Sequence, residues 1–144
     1  MMIYLQAAFF STFGSFAIAK VMNAPKQMAY FAGLIGGISF TFNTFLLKFV
    51  DNTISIFFAT ILIVVLAELL ARIYNYPATI FIFPSLAPLL PGVKLYQTIM
   101  SLTIGDLNNA FKIGGQTILI ALAIAMALVV SNTLTRKTPL KENI

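Results

Sequence analysis

Four stretches of this chain, residues 3–19, 28–47, 54–71 and 113–131, stay apolar over the roughly 17 to 25 residues that a helix needs to cross a bilayer. A fifth, 74–92, has the length but is interrupted by prolines. Inside hydrocarbon every backbone N–H and C=O must find a partner within the protein, which leaves helices as the spanning element for blocks of this length. With 60% of residues hydrophobic, 9% charged and a mean hydropathy of +0.96, no soluble core could hide this much apolar surface. The sequence therefore predicts an all-α integral membrane protein of about five transmembrane helices, the fourth broken by a Pro/Gly-rich motif. The expected membrane domain covers residues 1–133, followed by a short polar tail at 134–144.

The break reads Pro84-Ser85-Leu86-Ala87-Pro88-Leu89-Leu90-Pro91-Gly92. A proline has no N–H for the carbonyl four residues earlier, so a continuing helix would leave the carbonyls of Ile80, Pro84 and Ala87 without donors. In transporters such unwound backbone coordinates cations or ammonium groups, and the N-terminus of the following half-helix faces an anion. A structural kink satisfied by neighbouring helices is the alternative. A helix over 93–104 would place Lys94, Gln97, Thr98, Ser101 and Gly105 on one side and Val93, Leu95, Ile99, Leu102 and Ile104 on the other. That polar stripe either lines a path or lies along the headgroups. Lys94 accordingly either snorkels to the interface or is an intramembrane charge with a functional role. The substrate-path candidates are Pro84, Ser85, Pro88, Pro91, Gly92, Lys94, Tyr96, Gln97 and Ser101.

Absent cysteine and histidine remove thiol chemistry, disulfides and the usual zinc and haem ligand sets, and four acidic residues leave little for hydrolysis. We expect no enzyme and no cofactor or metal, although lipid chemistry through Lys94 or Tyr96 stays open. The net charge of +5 comes from basic residues scattered singly between apolar blocks, which is a topology signal and not a nucleic-acid stripe. If the broken block crosses, Lys20, Lys26, Arg72, Arg136, Lys137 and Lys141 share one side, and Lys48, Lys94 and Lys112 lie opposite with Asp51 and Asp106. The richer side is cytoplasmic by the positive-inside rule, so the N-terminus is expected outside and the C-terminus inside. The chain opens Met1-Met2-Ile3-Tyr4-Leu5 without a basic region, so the first block is expected to be a retained span.

Three further groups stand out. Glu68 and Arg72 are four residues apart in the acid-first order that favours an ion pair along a helix; they either anchor that end of the third span or make Glu68 a proton carrier for coupling. Gly33, Gly36 and Gly37 give the second span a small face for close helix contact. Beyond them Asn43 is the costliest side chain to leave in lipid, so it is expected to bond across to another helix, with Ser39, Thr41 and Thr44 nearby. Asp106, Asn109 and Gln116 read as a solvated flank of the last span.

Taken together, these residues resemble the bacterial threonine/serine exporter family, in particular its smaller C-terminal membrane module made as a separate subunit. Phe83 to Gly92 is similar to that family's proline-rich "P-L-V-P-G" signature followed by a Tyr-containing helix. Met22-Asn23-Ala24-Pro25, Glu68 with Arg72, and Gly105-Asp106 resemble its other landmarks in the same order. The resemblance implies a bacterial cytoplasmic-membrane, multi-pass subunit of a two-component exporter of small hydrophilic metabolites. Threonine and serine are the first cargo, and a dicarboxylate such as succinate is the alternative. It also implies an obligatory partner, a larger five-span membrane protein with a soluble N-terminal region. The expected mechanism is alternating access, with the broken fourth helix and the polar side of Val93 to Ser101 forming part of a substrate site that the partner completes. A non-transporting membrane scaffold is the reading from another class; it would depend on Gly33, Gly36 and Gly37 and tolerate loss of the prolines.

Overall fold

A computed structural model describes residues 2–135, with the side chains of Ile3, Asn132, Leu134 and Thr135 left aside. It is all-helical: α1 (Met2–Val21), α2 (Lys26–Leu46), α3 (Asn52–Tyr74), α4 (Thr79–Leu86), a 3-10 turn (Ala87–Leu89), α5 (Gly92–Thr103) and α6 (Leu107–Thr135), with no strand among the described residues. Helices α2, α3 and α6 are each long and apolar enough to cross a membrane, and α4 with its 3-10 turn passes the same test jointly with α5, bent by 51°. Helix α1, of 20 residues, reaches about 30 Å, the depth of the hydrocarbon core. The protein is thus a membrane bundle of about five crossing helices with the fourth broken. Positions 136–144, including Arg136, Lys137 and Lys141, lie outside the described residues.

The helix ends follow from local chemistry. Asn23 and Asn75 hold positive φ angles of 57° and 54°, the left-handed conformation asparagine tolerates better than other non-glycine residues. Each closes its helix with a six-to-one bond, Ala24 N–H to Ala19 O at 3.0 Å and Tyr76 N–H to Ala71 O at 3.2 Å. Each is followed two residues later by a proline, Pro25 or Pro77, which cannot extend the helix. Gly105, at φ 79°, ends α5 in the same way through Asp106 N–H to Ser101 O. Asp106 then caps α6, accepting from the Asn109 N–H at 3.2 Å and the Asn109 side-chain amide at 2.6 Å.

Hydropathy alone misplaces two boundaries. Tyr74 completes α3, and the fourth crossing begins at Thr79 after a turn. The last helix begins at Leu107 and not near residue 113, because Asn108, Asn109 and Lys112 lower hydropathy without breaking a helix.

Helix α2 is the centre of the bundle. A Cβ on Gly36 would overlap the Ser15 hydroxyl and come within 2.7 Å of Ser15 Cβ, one on Gly37 would overlap the Thr12 hydroxyl, and one on Gly33 would stand 3.0 Å from Thr12 O. The α1–α2 contact therefore needs these three glycines, and α1 answers with Ala8, Thr12, Ser15 and Phe16. On another side Ser85 of α4 donates to Ala32 O at 2.8 Å.

The broken span climbs beside α2 from one end to the other. Thr79, Ile80 and Phe83 share a cleft with Met22 and Ala24, before α2 begins. Ser85 meets Ala32 midway, and Pro91 and Lys94 share a cleft with Asn43, Leu47 and Asn52, where α2 ends and α3 starts. The segment crosses the bundle and does not dip back. Helix α6 then returns beside α3, its Ile120 in the same cleft as Ile56.

Overpacking the α1–α2 contact is expected to cost about 1–3 kcal/mol. Gly36→Val should lower the unfolding midpoint in detergent, whereas Gly115→Ala, whose added methyl would meet nothing within 4 Å, should leave it unchanged or raised.

Candidate functional site

At the break the backbone finds partners of its own. The Ala87 N–H donates to Pro84 O, Leu90 N–H donates to Ala87 O at 3.3 Å, and Gly92 N–H to Leu90 O at 2.8 Å. Tightening to three-residue bonds thus gives the carbonyls of Pro84 and Ala87 a donor each, which corrects the expectation that both stand free. Pro84 and Ser85 are fully buried against α2 and serve the packing of α4.

What remains open is the head of α5. Its first helical bond runs from Leu95 N–H to Pro91 O at 3.0 Å, so the N–H groups of Val93 and Lys94 have no backbone acceptor among the described residues. These donors sit at the positive end of the α5 dipole, just after Pro91 in the chain and at Lys94 itself. A cleft of about 240 Å³ opens here, lined by Asn43 and Phe40 of α2, Asn52 at the start of α3, Pro88 and Pro91 of the break, and Lys94. Lys94 is half-buried and its Nζ donates to Gln116 Oε1 of α6 at 3.0 Å. Asn43, only 5% exposed, is clamped from α3: Ser55 Oγ lies 2.6 Å from Asn43 Oδ1 and 2.9 Å from Asn43 O. That bond commits the amide oxygen, so the NH2 is what Asn43 offers to the cleft it lines. A cation, two amides and a helix N-terminus in an otherwise apolar wall suit a small polar ligand that carries a carboxylate.

Of the sequence candidates, Pro88, Pro91 and Lys94 converge on this cleft with Asn43. Gly92 is the first residue of α5. Ser101 is half-buried farther along α5, while Tyr96 and Gln97 are exposed outside the cleft. Glu68 and Arg72 lie at the opposite end of the bundle, lining a cleft of about 450 Å³ with Asn75 and Tyr76. A third cleft, of about 510 Å³ and mostly apolar, lies against Gln6, Ser11 and Gly14 of α1, with Phe40 and Pro88 as the wall it shares with the Lys94 cleft.

Sequence reasoning passed over Asn52 and Ser55, and it did not foresee that the exposed Gln116 accepts from Lys94. The signal available was spacing: Asn52 and Ser55 are three apart at the start of an apolar helix, on the side that turns towards α2. On α1, Ser11 and Ser15 are buried, and among the described residues the Ser15 and Ser39 hydroxyls have no hydrogen-bond partner; Ser15 brings a polar group into the α1–α2 contact beside Gly36.

Ser55→Ala removes the hydrogen bond that joins α2 to α3 and should cost about 0.6–1.7 kcal/mol in detergent unfolding. Thr60→Val, which deletes a hydroxyl bonded only to Ile56 O of its own helix, should cost less.

No curated protein and no solved structure matches the chain. A family model described as "Threonine/Serine exporter, ThrE" matches residues 7–134, which includes most of α1, nearly all of α6, every helix between them and the whole of the Lys94 cleft. The chain belongs to the threonine/serine exporter family.

Proposed function

We propose that this protein is the membrane subunit of a two-component secondary exporter whose cargo is threonine and serine. The observation that carries the reading is the cleft at the broken helix, which Pro91 and Lys94 line together with Asn43 and Asn52. An α-amino acid is zwitterionic at neutral pH, and the two ends of this cleft suit its two charges. The carboxylate meets Lys94 and the N–H groups of Val93 and Lys94. The ammonium meets the side-chain oxygen of Asn52, and the cargo's hydroxyl meets the amide of Asn43. A dicarboxylate such as succinate would need a second cation, which in this cleft would have to come from another chain.

The break suits alternating access. Pro91 and Gly92 join α5 to α4 without continuous helical bonding, so α5 can tilt against the rest of the bundle at small cost. The larger partner, a five-span membrane protein with a soluble N-terminal region, supplies the remaining wall of the path. The pair sits in the bacterial cytoplasmic membrane with the Lys94 cleft towards the outside and the Glu68–Arg72 cleft towards the cytoplasm. That orientation leaves Lys20, Lys26 and Arg72 on the cytoplasmic side, as the positive-inside rule requires.

The test is efflux of labelled threonine, serine and succinate from cells that express this chain with its partner. At native membrane abundance Lys94→Met should slow amino-acid efflux about tenfold or more, the loss of one charge-assisted hydrogen bond, and the double variant Pro88→Ala/Pro91→Ala should slow it as well by letting the helix run on through the break. Absence of efflux of either amino acid from the native pair would remove the cargo assignment, and succinate efflux in its place would identify the dicarboxylate alternative.

A further inference from the structure

Helix α5 is built inside out. Its hundred-degree step sets Lys94, Gln97, Thr98 and Ser101 on one side, and Val93, Leu95, Tyr96, Ile99, Met100 and Leu102 on the other. A surface helix of a soluble protein turns the apolar side to the core. Here the apolar side is turned away, with exposures from 49% at Met100 to 72% at Val93, no residue of α5 is buried, and Lys94, Thr98 and Ser101 are the half-buried ones. They face α6, against which α5 packs as the antiparallel arm of a hairpin. Lys94 reaches Gln116 at 3.0 Å, and Thr98 lies beside Gly114, where a Cβ would stand 3.1 Å from its methyl group.

The seam is polar on both walls, and its hydroxyls keep spare hydrogen-bonding capacity. Thr98 and Thr117 donate to carbonyls of their own helices, Lys94 O at 2.8 Å and Ile113 O at 2.9 Å, and so keep lone pairs for another donor. It also starts at Lys94, which lines the cleft at Pro91. The outward side of the hairpin, by contrast, continues into Phe111, Ile118 and Leu119 of α6, each more than half exposed. On α6 the exposed Asn108 and Lys112 share that side near the start of the helix, whereas the outward side of α5 carries Val93, Leu95, Ile99, Met100 and Leu102 and suits hydrocarbon, as do the exposed phenylalanines of α1.

We propose that the α5–α6 seam is the route by which the cleft reaches water, with Thr98, Ser101 and Gln116 as the surface along which the cargo's polar groups pass, and that lipid hydrocarbon covers the outward face of α5. The cargo rests on the exporter reading; the seam does not. The chain has no cysteine, so single substitutions can be read without background. Thr98→Cys, Ser101→Cys and Gln116→Cys should react with a charged, membrane-impermeant methanethiosulfonate at least about tenfold faster than Leu95→Cys, Ile99→Cys and Leu102→Cys, all in native membranes. Equal or faster reaction of the outward set would place the hairpin in water, and three unreactive seam positions would mark a dry packing contact; either result overturns the proposal. Oxidative cross-linking of Ile99→Cys into dimers would replace lipid by a second copy as the occupant and overturn that half. Slower seam labelling in the presence of threonine or serine supports the cargo, whereas fast labelling that neither amino acid slows rejects the cargo and leaves the seam standing.

Discussion

Apolar helices gain nothing from burying oily surface against one another when lipid tails are the alternative, so this bundle depends on close approach and hydrogen bonds at α2. Gly33, Gly36 and Gly37 let α1 come near enough for Ser15 and Thr12 to occupy the space of absent side chains. Ala32 O receives the Ser85 hydroxyl from α4, and Asn43 receives that of Ser55 from α3. Three neighbours are thus set by one helix through three different contacts, and the position of the broken span relative to α3 follows from them. The cleft at Lys94 is assembled at the end of α2, where the broken span and the start of α3 come together beside it.

The proline motif and the cleft answer the same constraint. Backbone polar groups at membrane depth must be paired, and the chain meets this for the carbonyls of Pro84 and Ala87 by tightening through Ala87–Leu89. The cost of the break is moved to the donors at the head of α5, which have no carbonyl behind them because Pro91 ends the turn. Unpaired N–H groups beside a lysine favour a negative charge, whereas bare carbonyls would favour a cation. Ser85, in the middle of the motif, contributes packing, since its hydroxyl is committed to α2.

Much of the architecture was legible because hydrophobic length is a one-dimensional property. The apolar blocks, the break at Pro84 to Gly92 and the turn after Asn23 can all be read residue by residue. The equivalent turn at Asn75-Tyr76-Pro77 repeats Asn23-Ala24-Pro25 and was open to the same reading, but hydropathy carried the fourth block back over it to residue 74. Polar residues within helices misled for the opposite reason: Asn108, Asn109 and Lys112 look like a connector, yet each is compatible with helix. Among the site residues, Pro88, Pro91 and Lys94 announced themselves through proximity to the break. Asn52 and Gln116 did not, because they come to Lys94 from chain positions 42 and 22 residues away by simple subtraction, on helices whose rotation the sequence does not state.

The sequence by itself determined that this protein is a helical membrane protein, where its helices run and where one must break, since hydrocarbon thickness and the missing proline N–H act locally along the chain. Only the tertiary structure decided which way each helix is turned. It set the polar side of α5 against α6, closed the carbonyls of Pro84 and Ala87 with three-residue bonds, and brought Asn43, Asn52, Lys94 and Gln116 to one end of the bundle. Rotation about a helix axis is fixed by what the neighbours fit and bond, and the amphipathic pattern of α5 would read the same whether its polar side met water, headgroups or a second helix.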